Sequence, residues 1–301
     1  MDVELALLRL LVEIDRTGSM TGAARSLQYT PSAVSQQVRR LESAVGTTLF
    51  ERHARGVRLT DAGRIVLARA SAIETNLRAL SSELDDLAGA RSGQLTLGVF
   101  PTFAASFLPR VIETFRSDHP GVELHIRSSR LRRLRQMLHA RDVDLALAWD
   151  YPEAALVEDG LEFAELGRDP TVVLAPAGRF GDAQVDLADL ADESWIVRAD
   201  GHPITEVFRS ACRTAGFDPQ VLIEANDYME SQAMVAAGLG LSVAPVMTTW
   251  FLRDDVDAID TNGQLPDRRV LLGAVAGRVS PAGEAMRATL QTLPWSNRRD
   301  L

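Results

Sequence analysis

The chain contains no lysine. All 32 basic residues are arginine, and 41 acidic residues leave a net charge of −9 over 301 residues. A phosphate-binding loop of the GxxxxGK type is therefore excluded. An all-arginine basic set suits bidentate contacts to phosphate or guanine, although a GC-rich genome explains the same bias more simply. A single cysteine, Cys212, rules out an intrachain disulfide and a cysteine-based zinc site, so the fold needs no oxidising compartment. No run of 18 apolar residues occurs, which argues against a membrane span. The segment MDVELALLRLLVE is acidic and amphipathic, without the basic start of an export signal, so the expected location is the cytoplasm.

Catalytic signatures are also missing. The five histidines (53, 119, 125, 139, 202) form neither HExxH nor a close pair, and no GxSxG elbow occurs. Gly238-Leu239-Gly240 lacks the third glycine of a dinucleotide fingerprint and reads as a helix-to-strand turn. The expectation is no catalytic residue, no metal and no cofactor. Cys212 reads as a small buried apolar residue.

Hydrophobic residues at 46% and charged ones at 24% suffice for about two cored domains. Charge is unevenly spread. Residues 16 to 69 hold nine arginines against three acids, a net of +6, whereas residues 91 to 301 hold 21 arginines against 30 acids, a net of −9. The acidic average thus conceals a basic front, as a nucleic-acid footprint requires.

The pattern of that front predicts short helices over 3–15, 20–28 and 31–44. Thr30 stands at an N-cap and Pro31 at the first helical position, where its missing N–H is harmless. At 100° per residue, Val34, Val38, Leu41 and Val45 share one sector of the third helix, while Ser32, Ser35, Gln36, Arg39 and Ser43 lie opposite. Such a face can enter a major groove, since Ser and Gln bond base edges and Arg reaches guanine or phosphate; a plain solvated face is the alternative. The small residues Ala23 and Ala24 in the preceding helix let the third approach closely, as in a helix-turn-helix. Arg52, Arg55 and Arg58 recur across an expected hairpin near Gly56, where a wing would meet the phosphate backbone.

A long helix is predicted from about 61 to 88, capped by Thr60. Val66, Ile73, Leu80 and Leu87 are spaced by seven with Ala70, Leu77 and Leu84 between them, a seam for a partner subunit or for a later part of the chain. Beyond the break around Gly89 and Gly93, strands and helices alternate, which predicts an α/β domain with a mostly parallel sheet in two lobes and a doubly crossed hinge.

The run GSMTGAARSLQYTPSAVSQQVRRLESAVGTTLFERHARGVRLTDAG at 18–63 resembles the LysR-type transcriptional regulators of bacteria. The resemblance continues through SGQLTLGV at 92–99, RDVDLALAW at 141–149 and MVAAGLGLSVAP at 234–245. One departure is Pro31, where many members carry Gln. The resemblance implies a winged helix-turn-helix domain (1–60), a linker and dimerisation helix (61–90), and a two-lobed effector domain similar to periplasmic binding proteins (91–301). Lobe I is expected over about 91–165 and 268–301, and lobe II over about 166–267. The expected DNA contacts are Ser32, Ser35, Gln36, Arg39, Arg52 and Arg55, and the dimer seam is Val66, Ile73, Leu77, Leu80, Leu84 and Leu87. The expected partners are promoter duplex, a second copy forming a dimer or a dimer of dimers, RNA polymerase, and a small-molecule effector.

Ligands of two-lobed α/β domains sit beyond strand ends. Candidate effector contacts are therefore Thr102, Phe103, Ser128, Trp149, Arg198 and Asn226, with Thr102, Ser128 and Arg198 suited to an anion. Trp149 either stacks on the effector or seals the lobes, and His202 either assists Arg198, registers pH or is a solvated loop residue. A solute-binding protein without a DNA role accounts only for residues 91–301.

Overall fold

The computed structural model describes residues 3–53, 56–87, 93–181, 185–199, 201–277 and 279–295. The chain divides into two compact units, one of Met1–Ala90 with Ala140–Asp142 and one built from Arg91–His139 and Val143–Leu301.

The first unit runs α1 (Leu5–Thr17), α2 (Met20–Ser26), α3 (Pro31–Val45), β1 (Phe50–His53), β2 (Gly56–Leu59) and α4 (Asp61–Leu87). Each start is locally encoded. The Ser19 hydroxyl accepts from Gly22 N at 2.9 Å and opens α2, while the Thr30 hydroxyl accepts from Ala33 N at 3.2 Å and opens α3 with Pro31 in its first turn. Gly18 ends α1 at φ 67° and Gly46 ends α3 at φ 80°, left-handed positions that favour glycine. Val34, Val38 and Leu41 are buried beneath α3, and each contributes about 1.5–3 kcal/mol by leaving water. The hairpin is antiparallel, with Glu51 opposite Arg58 and His53 opposite Gly56. Residues 54–55 between the strands lie outside the described residues, and Gly56, near which the hairpin was expected to centre, opens β2. Glu42 anchors the hairpin, since its Oε1 accepts from Leu49 N at 2.8 Å and Phe50 N at 3.3 Å. The Thr60 hydroxyl accepts from Gly63 N at 2.9 Å at the start of α4. A Cβ on Gly63 would lie 2.2 Å from the Leu49 carbonyl oxygen, so only glycine permits this approach.

The second unit contains β3 (Gly93–Val99), α5 (Pro101–Ala105), α6 (Leu108–Asp118), β4 (Val122–Ser128), α7 (Leu131–His139), β5 (Leu145–Asp150), β6 (Leu161–Asp169), β7 (Thr171–Pro176), β8 (Ser194–Arg198), α8 (Pro203–Thr214), β9 (Gln220–Ala225), α9 (Tyr228–Ala236), β10 (Leu241–Pro245), β11 (Val256–Ile259), β12 (Arg268–Val275) and α10 (Pro281–Gln291). They form two five-stranded sheets ordered β4-β3-β5-β12-β6 and β11-β7-β10-β8-β9. The chain crosses from the first sheet to the second at Pro170 and returns between Ile259 and Arg268. A mostly parallel sheet was the expectation; both sheets are mixed. In each, four strands point the same way and the first strand to arrive after a crossing, β7 or β12, is inserted antiparallel between two of them. β6 runs directly into β7 through Pro170, and β7 then pairs antiparallel with β10 on one side and β11 on the other.

The helix expected from about 104 to 118 is two helices. They break at buried Ser106, whose hydroxyl donates to the Thr102 carbonyl at 2.8 Å, and Pro109 restarts the second. Phe100, Phe103, Phe107, Trp149, Trp195, Phe208 and Trp295 belong to one buried core. Cys212 lies in it, fully enclosed, and burial pushes its thiol up to about 12.

Candidate nucleic-acid interface and inter-lobe site

On α3 the buried stripe fixes which residues look outward. Ser32, Gln36 and Arg39 are exposed and Ser35 is half-buried, its hydroxyl donating to the Pro31 carbonyl at 3.0 Å. Arg39 Nε donates to the Ser35 carbonyl at 3.3 Å, which lays the guanidinium stem along the helix. No carboxylate side chain interrupts this face from Pro31 to Leu41. Arg58 on the second wing strand is exposed. Arg52 lies on β1 opposite Val57, and Arg55 falls outside the described residues. The arrangement can offer hydroxyl, amide and guanidinium groups to base edges and phosphates from one rigid helix.

The seam of α4 divides in two. Ala70 is fully buried and Val66 half-buried in the core made by Leu7, Leu8, Leu11, Leu41 and Leu49, so the start of the seam packs within its own unit rather than on a partner. Further along, Ile73 is 41% and Leu80 51% exposed, and Leu77 is half-buried. The side chains of Leu84 and Leu87 lie outside the described residues.

At the junction of the two lobes lies a charge pair that the sequence reading missed. Arg268, the first residue of β12, and Asp169, the last of β6, are paired in register, and their side chains form a hydrogen-bonded ion pair that is 2% and 1% exposed. Arg268 Nη2 also donates to the Thr102 hydroxyl at 3.1 Å, and its guanidinium carbon stands 4.9 Å from the Phe100 ring centre and 5.5 Å from that of Trp149. Asp169 Oδ1 accepts from Met247 N at 3.0 Å, tying the pair to the second lobe. Burial pushes the Asp169 carboxyl up against the pull of Arg268. Breaking such a pair by removing one partner costs about 3–5 kcal/mol. The sequence held one cue, since adjacent Arg268 and Arg269 on a strand must face opposite ways. Arg269 faces outward and grips Asp150 at 2.7 and 2.6 Å.

Trp149 is 6% exposed, stacked on His202 of the second lobe with ring centres 5.0 Å apart and edge-on to Tyr151 at 6.0 Å. Of the two roles considered for it, the geometry is that of a lobe seal. His202 is half-buried, not a solvated loop residue; its Nδ1 accepts from Ile204 N at 3.3 Å, and Tyr228 stands edge-on at 6.3 Å. Burial, with Arg198, Arg268 and Arg130 around it, lowers its pKa from 6.5 to about 3, so the ring is neutral.

The other expected contacts separate. Thr102 reaches this junction through Arg268, and the Arg198 guanidinium carbon lies 4.9 Å from the Tyr228 ring centre. Phe103 does not line it: the ring is fully buried, stacked on Phe107 and Trp295, because the short helix α5 turns it into the aromatic core. Ser128 is exposed at the end of β4, and Asn226 is exposed with its N and Nδ2 both donating to Glu230 Oε2 at 2.7 and 3.1 Å. Tyr151, Asp169, Tyr228 and Arg268 are junction residues that the sequence reading did not name.

A family model described as LysR substrate binding domain matches residues 88–294, and one described as bacterial regulatory helix-turn-helix protein, lysR family, matches residues 5–64. The RuBisCO operon transcriptional regulator of Allochromatium vinosum is 34% identical over 297 residues, 95% of each chain. The HTH-type transcriptional regulator CfxR of Cupriavidus necator is 30% identical, over 94% of this chain and 89% of its own. Among solved structures, full-length CbnR complexed with its target DNA superposes with a TM-score of 0.73 at 20% identity, covering 96% of this chain and 99% of that one. At that identity the likeness speaks for the fold. With the two family models spanning nearly all of its length and a relative at 34% identity, the chain belongs to the LysR family of DNA-binding transcriptional regulators.

Proposed function

We propose that residues 1–60 bind promoter duplex through Ser32, Ser35, Gln36 and Arg39 in the major groove, with Arg52 and Arg55 at the flanking backbone. Residues 61–90 pair two copies through the open part of the seam, and two such dimers assemble on one promoter. Residues 91–301 hold a small anionic effector between lobe I (91–165 and 268–301) and lobe II (166–267), with Thr102 and Arg198 nearest it. The work is done in the cytoplasm, where RNA polymerase is the downstream partner. The observation that carries the DNA reading is the outward face of α3: Ser32, Gln36 and Arg39 are exposed by the burial of Val34, Val38 and Leu41. A solute-binding protein with no DNA role would leave that face and the +6 charge of residues 16–69 unused.

The test is a duplex selected by the full-length protein from a random pool, then titrated at fixed salt. Arg39→Ala is expected to lower the preference for the selected over a scrambled duplex by about 1–3 kcal/mol, the worth of one base contact. An unchanged preference would remove Arg39 from base reading.

A further inference from the structure

Within the acidic domain one short stretch is wholly basic. Residues 124–141 hold six arginines, two histidines and no carboxylate, a net of +6, while the rest of residues 91–301 carries 15 arginines against 30 acids, a net of −15. A GC-rich genome explains arginine in place of lysine but not this segregation. The stretch comprises the end of β4, helix α7 and the turn after it. Every exposed residue from Arg127 to Arg141 is Arg, Ser, Gln or His, so the stretch shows solvent neither a carboxylate nor an exposed apolar side chain.

The buried stripe of α7 sets its orientation. Leu134, Met137 and Leu138 pack inward. At about 100° per residue Arg132 lies opposite them, with Arg135 and His139 on one flank and Arg133 on the other. Glu158, from the segment between β5 and β6, occupies the first flank: it pairs with the Arg135 guanidinium and stands 2.8 Å from His139 Nε2. Arg132 and Arg133 meet no carboxylate among the described residues, and Arg133 Nη1 donates to Gln136 Oε1 at 3.4 Å. Gly98 on β3 faces α7, since a Cβ there would lie 2.9 Å from Leu134 Cδ2. Its partner in register on β4 is Arg127, so that exposed side chain shares α7's side of the sheet. Arg127 and Arg133 are six residues apart, at most roughly 22 Å of chain. Arg130 belongs instead to the lobe junction, where it bears on His202.

We propose that Arg127, Arg132 and Arg133 form a second DNA-contact face, carried by the substrate-binding domain, which takes the phosphate backbone of duplex flanking the sequence read by α3. Its chemistry favours a polyanion over a protein. A protein–protein interface is built round an apolar centre, which this face lacks, whereas protein–DNA interfaces are polar and strongly positive. Guanidinium forks match phosphate geometry, and α7 holds two of them on a helix anchored in the core. The −15 of the surrounding domain repels a polyanion, so this face is where the domain can hold one. The contact is independent of base sequence and goes beyond those assigned to α3 and the wing.

The selected duplex is trimmed to the shortest length that keeps specific binding, and a second duplex extends it on both sides with arbitrary sequence. Full-length wild type, Arg132→Ala/Arg133→Ala and Arg209→Ala/Arg213→Ala, which removes the same charge from α8, are titrated against both across a salt series, with sedimentation alongside. The wild type is expected to bind the extended duplex more tightly and with a steeper log–log salt slope. The α7 variant should lose roughly tenfold of that advantage at low salt, its slope on the extended duplex falling by about 1 for each arginine that met a phosphate. Its binding to the trimmed duplex should not change, and Arg132→Lys/Arg133→Lys should keep the wild-type slope because the charge is retained. The α8 variant should behave as wild type. A wild type indifferent to the flanks would overturn the proposal, as would an α7 variant with the wild-type slope or an α8 variant that loses as much. Transcription lost with DNA affinity intact would assign the face to an acidic protein, and a changed mass would assign it to a second copy; either result overturns the DNA contact. Arg39→Ala on the trimmed duplex judges the reading of α3 separately.

Discussion

His202 is held as a neutral ring on Trp149 by burial and by three nearby arginines, with a pKa lowered from 6.5 to about 3. The folded state therefore takes up the His202 proton later than the unfolded chain as pH falls. Its contribution to stability is fully present above 6.5 and is lost progressively as pH drops from there toward 3, by at most about 1.4 kcal/mol per pH unit. Urea unfolding at roughly pH 7 and roughly pH 5 should show that loss in the wild type and a smaller one in His202→Gln. Equal slopes would remove His202 from the acid response. The sequence placed Trp149, Arg198 and His202 near one another because each ends or follows a strand. It could not pair Arg268 with Asp169, which lie 99 positions apart with no local pattern to join them. Phe103 misled for the opposite reason: its position after a strand was legible, but whether its ring turned outward or into the aromatic core depended on Phe107 and Trp295.

Helix α4 shows how one periodic stripe serves two purposes. Its first turns pack on α1 through Val66 and Ala70, while Ile73 and Leu80 remain exposed although they continue the heptad spacing. Large apolar side chains repeating along an exposed helix mark a contact with a second helix. Ile73→Asp with Leu80→Asp should shift the sedimentation of the full-length protein from dimer or larger to monomer; an unchanged mass would take the seam out of assembly. Elements with strong local punctuation were readable in advance, as at Thr30-Pro31, His202-Pro203 and Ser280-Pro281, where a cap and a proline coincide. Strands β6 and β11 were not. LEFAELGRD alternates poorly because it is an edge strand with much of its surface exposed, and VDAI is only four residues long.

For the whole molecule, charge segregation reconciles an acidic protein with an acidic partner. The net of −9 resides in residues 91–301, and the +6 of residues 16–69 includes the wing arginines. Duplex affinity should fall linearly on a log–log salt scale, and Arg52→Ala should shallow that slope by about 1 per occupied half-site if its guanidinium meets a phosphate. A slope identical to wild type would take Arg52 off the backbone. The double crossing has a consequence of another kind, in the order of synthesis. The strands of the second sheet, β7 to β11, all lie between β6 and β12 in the chain, and β12 is the strand that joins β5 to β6. On the ribosome the second lobe can therefore close its sheet while the first still waits for its last strand. Until residues 268–275 emerge, β5 presents an unpaired edge, and a nascent chain stalled in that interval offers a ready template for pairing with a neighbouring chain.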